Sequence, residues 1–430
     1  MALAQRPPAM RPLPVVAPLY PTPATAAATP LRERLLLFVL FMAVLASSAV
    51  FIEPSPHDAL MGLLAVACLT AGVHFERPLL VPFLLLLIWN IAGMMALIHV
   101  VGYEKTVQYT ATSVYLAIAG MLFACLFAQN TMQRLTAMRI AYVMTAIFAV
   151  FTGAMGYFDL FGTAHLFAPS GRALGAFKDP NVFGPFLIWP ALFLIDRMMA
   201  ERVRPTDIVV IGVLLFGLLL SFSRGAWFHF GISCLVMIAL SFVTAPTTRR
   251  RLRVLALSVA AVVALALFVA FLLTVPAIQE MFNVRAHLIQ SYDVGQGGRF
   301  RLQELAVTSV LNFPNGMGPF EFARVNGLQQ HNVYLQAFLV YGWTGGMAYV
   351  LLLLTTVMVG LRNALLHTPW QPYLITALAA FIGEIAEGFV IDTDHWRHFY
   401  LLLGMIWGLA AATTRYRRRR FVPQPAYPVG

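Results

Sequence analysis

Apolar runs of about twenty residues recur from near Leu35 almost to the end of this chain, and they restrict its fold more than any other feature. A segment of that length crosses the hydrocarbon core of a bilayer as a helix. Lipid cannot hydrogen-bond free backbone N–H and C=O groups, so helix is forced wherever the chain spans. Only 11% of the residues are charged and 60% are hydrophobic, whereas a soluble globular chain carries about a quarter charged residues. So little polar surface cannot keep 430 residues in water. One large soluble core is excluded, and an all-α polytopic membrane protein is expected.

The runs lie near 35–52, 58–74, 79–100, 107–128, 135–156, 181–199, 206–223, 225–245, 253–275, 332–361, 371–391 and 397–414, which makes about twelve spans. Charge tests this reading. With the N-terminus inside, 20 of the 29 Lys and Arg residues fall on the cytoplasmic side, including Arg249, Arg250, Arg251, Arg253 and the run from Arg417 to Arg420. Positive charge accumulates on that face, so an even number of spans with both termini cytoplasmic fits best. Anionic lipid headgroups are sufficient partners for the terminal arginines, and the net charge of +11 requires no nucleic acid. The three cysteines, Cys68, Cys125 and Cys234, sit inside apolar runs and read as small core residues, not disulfides or metal ligands.

Residues 1–30 are rich in Pro and Ala and lack the apolar stretch of a signal peptide, so they read as a disordered cytoplasmic tail. A transmembrane domain follows over 31–416, and residues 417–430 form a basic cytoplasmic tail. Two long loops stand out on the outer side, about 157–180 and, between the ninth and tenth spans, about 276–331. Long loops in a compact domain tend to be functional or disordered. These carry Gly, Pro, aromatics and most of the outer arginines, which favours function.

Five local patterns bear chemistry. Ser223-Arg224-Gly225 sits at the outer membrane boundary. There an arginine either snorkels to the interface or holds an anion, and Gly225 would let a substrate approach the backbone. Gly171-Arg172 precedes Asp179-Pro180-Asn181, where Asn181 is placed to cap the next helix or Arg172 to hold an anion. Gly295-Gln296-Gly297-Gly298-Arg299-Phe300-Arg301 is a glycine-arginine cradle suited to phosphate oxygens, but without a P-loop lysine or hydroxyl it gives no support to nucleotide hydrolysis. His331-Asn332 stands where the large loop enters the tenth span, and histidine there is a cap or a general base. Gly342 and Gly346 follow as a GxxxG pair suited to close helix packing. Finally Glu384 and Glu387 lie three apart on one face of the eleventh span, ahead of Asp392, Asp394, His395, Arg397 and His398. Acids at membrane depth serve as relays or as arginine partners. A divalent metal on Asp392-Thr393-Asp394-His395 is the lesser reading, since Asp-x-Asp spacing is common.

The order and spacing of Gly171-Arg172…Asp179-Pro180-Asn181, Ser223-Arg224-Gly225, Arg299, Pro314…Gly316-Met317-Gly318 and His331-Asn332 resembles the O-antigen ligase and Wzy-type polymerase family over about 170–350. Glu53 to Asp58 and Asp392 to His398 look like terminal signatures of a subgroup. The resemblance implies a GT-C-like membrane glycosyltransferase of the bacterial inner membrane, active on the periplasmic face and independent of metal, cofactor and nucleotide sugar. Its donor would be an undecaprenyl-diphosphate-linked glycan, and its acceptor lipid A-core, a growing glycan or another hydroxyl. Arginines matching Arg224 and Arg299 would hold the diphosphate, with Arg172 in a family motif of less defined role, and a histidine matching His331 would act on the acceptor hydroxyl. Arg301, Asn332, Glu384, Glu387 and Asp394 are expected to support the site, and Arg301 and Arg324 are alternatives for the second phosphate ligand. Chemistry agrees with this picture. A departing diphosphate gathers negative charge that arginines stabilise, and the attacking hydroxyl needs a base. A single displacement inverts the anomeric carbon. Ligase and polymerase share these requirements. From another class, a transporter of polysaccharide or lipid-linked glycan would also suit twelve spans, but no repeat relates the halves and the charges collect at one outer face, not at the midplane.

Overall fold

The computed structural model describes residues 29–52, 54–285 and 298–421. The bulk of the N-terminal tail, Glu53, Gly295-Gln296-Gly297 and the last residues of the C-terminal tail lie outside the described residues. Among the described residues every regular element is helical. In chain order they are α1 (Leu31–Leu45), α2 (Pro56–Thr70), α3 (Leu80–Leu97), α4 (Glu104–Ala128), α5 (Thr131–Tyr157), α6 (Ala164–Phe167), α7 (Pro180–Phe186), α8 (Ile188–Ala200), α9 (Pro205–Leu220), α10 (Arg224–Thr244), α11 (Thr248–Leu272), α12 (Pro276–Arg285), α13 (Arg299–Asn312), α14 (Glu321–Asn326), α15 (Val333–Ala364), α16 (Gln371–Glu387) and α17 (Arg397–Phe421). Every apolar run of the sequence coincides with a helix, the sixth being split into α7 and α8. Seven of these segments are long and apolar enough to cross a membrane, while Pro56–Thr70 and Pro205–Leu220 are shorter apolar helices. The protein is thus a polytopic all-α membrane protein. The segment 276–331 is not a bare loop, because α12, α13 and α14 are folded within it.

Helix starts follow from local sequence. Ser55 and Asp58 close a capping box on α2, with Pro56 at the first helical position. Ser223 Oγ accepts the Ala226 N–H to cap α10, and Asn332 Oδ1 accepts the Tyr334 and Leu335 N–H groups to cap α15. At α7 the structure corrects the expected cap. Asp179 Oδ1 accepts the Asn181 N–H at 2.8 Å, so Asp179 takes the capping role and Pro180 fills the first helical position.

The most extensive pairings are α4 with α17, α3 with α15 and α10 with α16. Glycine lets the first pair touch, since a Cβ at Gly404 would lie 2.6 Å from the Gly120 carbonyl oxygen and one at Gly408 would lie 2.6 Å from that of Ala124. In contrast, α11 keeps only 6% of its apolar window buried, which leaves it at the rim of the bundle, facing lipid.

The GxxxG reading of α15 is corrected. Gly342 has φ 67° and ψ −174°, a conformation that interrupts the helix and is open essentially to glycine alone. The loop Pro314–Gly318 enters this break. Trp343 N–H donates to the Pro314 carbonyl at 2.8 Å and Met317 N–H to that of Leu339 at 2.6 Å. Gly346 packs on Phe338 of its own helix, and it is Gly345 that approaches Ala92 of α3.

Charged side chains pair across helix ends. Arg134 donates to both carboxylate oxygens of Glu33 at 2.9 Å, joining α5 to α1. Arg197 pairs with Asp207, and Arg415 with Glu76. Arg397 grips Asp58 with two bonds of 3.0 and 2.8 Å. The last pair joins the two terminal signatures seen in the sequence. Bidentate geometry of this kind fixes helix ends against each other more firmly than a single contact.

Candidate functional site

The last turn of α16 collects motifs that are far apart in the chain. On one side α10 begins with Arg224-Gly225. A Cβ at Gly225 would lie 2.7 Å from Glu387 Oε1, so the space beside this glycine is taken by a carboxylate of α16. The expected approach of a substrate to Gly225 is replaced by protein packing. Glu387 Oε2 meets His229 Nδ1 at 2.9 Å, and His229 Nε2 lies 2.9 Å from the Ala380 carbonyl. Both ring nitrogens are thereby fixed. His229 carried no signal in the sequence, being one polar residue in an apolar run.

On the other side of the same turn sits the start of α15. Val333 N–H donates to the Gly388 carbonyl at 2.8 Å, Asn332 Nδ2 to that of Phe389 at 3.2 Å, and Tyr334 OH to that of Ile385 at 2.7 Å. Asn332 thus caps its own helix and ties it to α16. His331, just ahead, has φ 49°, a left-handed conformation uncommon for a residue other than glycine. Its side chain is about half exposed, and Nδ1 stands 3.6 Å from Asp392 Oδ2. That is ion-pair range, longer than a hydrogen bond. Asp392 lies in the connection between α16 and α17. Burial pushes its carboxyl above the ordinary range, and neighbouring His331 pulls it part of the way back.

Arg172 reaches the base of the Arg224 turn. Its Nε donates to the Ser221 carbonyl and its terminal nitrogen to Asn181 Oδ1, both at 2.9 Å. Asn181 therefore serves as an acceptor for Arg172. Phe222, between Ser221 and Ser223, also takes a positive φ of 44°. The turn that presents Arg224 is held by the motif around Arg172 and by the tight approach of Gly184 to Ala226 and Ser221.

Arg299 opens α13 and is half-buried. Gln303, one turn further on the same face, donates to the Gln330 carbonyl at 3.4 Å, so this helix leans on the residue before His331. The alternatives for a second phosphate ligand are engaged elsewhere. Arg301 pairs with Glu304 and Arg324 with Glu321, each within its own exposed helix turn.

The remaining acids divide. Glu384 is fully buried and faces His398 Nε2 at 3.4 Å. Asp394 accepts from Tyr109 OH at 2.9 Å, and its Oδ2 lies 3.0 Å from His395 Nδ1. Among the described residues no group of three or more His, Cys, Asp or Glu is placed to hold a metal ion.

Residues 209–350 match the family model described as O-antigen ligase. That stretch, about a third of the chain, is what is similar to the O-antigen ligase family. Arg224, Arg299 and His331 all fall within the matched stretch, while Arg172 and the acids of α16 lie outside it. No curated protein gives a significant match to the chain.

Proposed function

We propose that this protein is a member of the O-antigen ligase family that transfers a glycan from an undecaprenyl-diphosphate carrier to an acceptor hydroxyl, in the manner of a ligase, at the periplasmic face of the bacterial inner membrane. One observation carries the reading. The family-matched stretch holds both Arg224 and His331, and the segments that carry them pack against one end of α16, through Gly225 beside Glu387 and Val333 N–H on the Gly388 carbonyl. A diphosphate leaving group and an acceptor hydroxyl need those two groups.

In this scheme Arg224 and Arg299 take the diphosphate oxygens, and their charge counts most as the anomeric bond breaks and the leaving group becomes more anionic. His331 removes the acceptor proton. With Nδ1 turned to Asp392, Nε2 is the nitrogen that acts, and the carboxylate stabilises the imidazolium that forms. The oxygen–carbon bond forms as the carbon–phosphate oxygen bond breaks, which inverts the anomeric centre. Lipid A-core or another hydroxyl is the acceptor, and a growing chain would make the same site a polymerase.

The test uses purified full-length protein with an undecaprenyl-diphosphate-linked glycan and a core-lipid acceptor, in EDTA and without nucleotide. Release of undecaprenyl diphosphate is expected to require the acceptor. His331→Ala is expected to cut transfer by about 10²–10⁴-fold, and Arg224→Ala by about 10²–10³-fold. A single product indicates a ligase and a ladder indicates a polymerase. Retention of configuration, or full transfer by His331→Ala, overturns the scheme.

A further inference from the structure

His331 is held by a chain of side chains that no motif identifies. Gln330, its neighbour, is fully buried. Gln330 Nε2 donates to Gln336 Oε1 at 2.7 Å, Gln336 Nε2 to Tyr109 OH at 3.4 Å, and Tyr109 OH to Asp394 Oδ2 at 2.9 Å. Every donor in this series points toward the Asp394 carboxylate, which is itself buried. Aligned donors ending on an anion polarise one another and strengthen the whole series. Tyr109 is fixed again by His395, whose ring lies 3.9 Å from its own and whose Nε2 is 3.2 Å from its carbonyl. The chain thus runs from α17's leading connection, through α4, into α15, and ends at the residue before His331.

The end of that chain coincides with backbone strain. His331 adopts φ 49°, which an L side chain rarely takes unless its surroundings impose it. On its C-terminal side Asn332 is clamped by three bonds, as cap and as donor to Phe389. On its N-terminal side the clamp is Gln330, through its side chain to Gln336 and through its carbonyl, which accepts from Gln303 of α13. Gln303 belongs to the helix that begins with Arg299. One buried glutamine therefore joins the imidazole's backbone to the helix carrying the second arginine.

We infer that Gln330, Gln336 and Tyr109 are positioning residues, which hold His331 in its left-handed conformation and set the imidazole at the distance from the acceptor hydroxyl that transfer requires. The inference rests on the transfer reading for its kinetic consequence, but not for its structural one. It gives the Asp394-His395 signature a role as anchor of the chain, in place of contact with substrate or metal.

Two variants break two different links. Tyr109→Phe removes only the hydroxyl and leaves the ring on His395. Gln336→Leu removes the central amide. Transfer kinetics are measured alongside the rate at which diethyl pyrocarbonate modifies His331, read by mass spectrometry of the full-length protein. Each variant is expected to lower kcat by roughly 10- to 100-fold with KM within about twofold, as for a reacting group displaced without loss of substrate contacts. The double variant is expected to be no worse than the poorer single, since both cut one chain. The His331 modification rate is expected to change by about threefold or more as the left-handed conformer loses population. A kcat unchanged in both variants overturns the inference, and so does a lowered kcat with His331 modification as in wild type. If wild type transfers nothing yet the modification rate responds to both variants, the transfer reading fails and the positioning chain stands. If the rate does not respond either, both fail.

Discussion

At the scale of single residues, His331 and Asp392 form the pair on which activity and stability should part company. Burial raises the Asp392 carboxyl above its ordinary range, so the folded protein binds a proton there more readily than the unfolded chain. Ionising it therefore costs stability, a cost absent at low pH and fully present once pH passes the raised folded value. Asp392→Asn removes the cost. The variant is expected to melt no lower than wild type at pH 8, with the difference vanishing toward pH 4, in thermal scans followed by tryptophan fluorescence. Transfer should move the other way and drop by about tenfold or more, because the imidazolium of His331 loses its carboxylate. A lower melting point at pH 8 would show that the ion pair outweighs burial. Much of this residue set was legible in the sequence. Arg224 and His331 announced themselves as polar groups at membrane boundaries, where bland side chains are the rule. Asp392 was visible only as part of a metal-like Asp-x-Asp spacing, and His229, Gln330 and Gln336 were not visible at all. Their roles come from partners far away in the chain, and one sequence carries no record of such contacts.

At the scale of elements, α15 and α16 make the candidate site. The end of α16 receives α10 and α15 on its two sides, while the break at Gly342 limits the first segment of α15 to the stretch that His331 introduces. Gly342→Ala would have to hold a conformation open essentially to glycine, at a cost of about 1–3 kcal/mol. It would also push a Cβ to 2.6 Å from the Asn315 carbonyl carbon and 2.7 Å from the Pro314 oxygen. The expected result is a lower melting temperature and reduced transfer. Gly62→Ala serves as the contrast, since nothing lies within 4 Å of its added carbon and alanine is favoured over glycine in a helix by up to about 1 kcal/mol. Equal loss in both variants would remove the break from the account. The helices themselves could be read from apolar length, because lipid permits little else. The break could not, since two glycines four apart serve a helix–helix face or a kink equally well, and only the loop that enters at Gly342 decides between them. The caps show the same limit by two positions. Asp179-Pro180-Asn181 holds two good capping residues, and Arg172 settles the choice by engaging Asn181.

At the scale of the whole molecule, twelve helices in alternation would set the Arg224 turn, the His331 junction and the end of α16 at one face, with the arginine-rich ends at the other. The cross-helix ion pairs support this arrangement. Glu33 with Arg134, Glu76 with Arg415 and Asp207 with Arg197 each join residues that alternation puts on the basic, cytoplasmic side. Asp58 with Arg397 joins two on the other side. A single error in the span count would force some of these pairs across the bilayer, where separated charges have no such partner. The chain has only three cysteines, none of them in a disulfide, so a cysteine-free background is within reach for mapping the faces. Ser170→Cys, Val325→Cys and Thr248→Cys lie at exposed positions in the 157–180 segment, in α14 and at the start of α11. In intact spheroplasts, a membrane-impermeant maleimide is expected to label the cysteines at 170 and 325 at once and the one at 248 only after permeabilisation. Labelling of all three from outside would break the alternation between α10 and α11. Labelling of 170 without 325 would place the two arginine-bearing segments on opposite faces. Arg224, anchored through Arg172 to the first segment, could then not share a substrate with Arg299 in the second, and the two-arginine clamp would have to be abandoned whatever the activity of the protein.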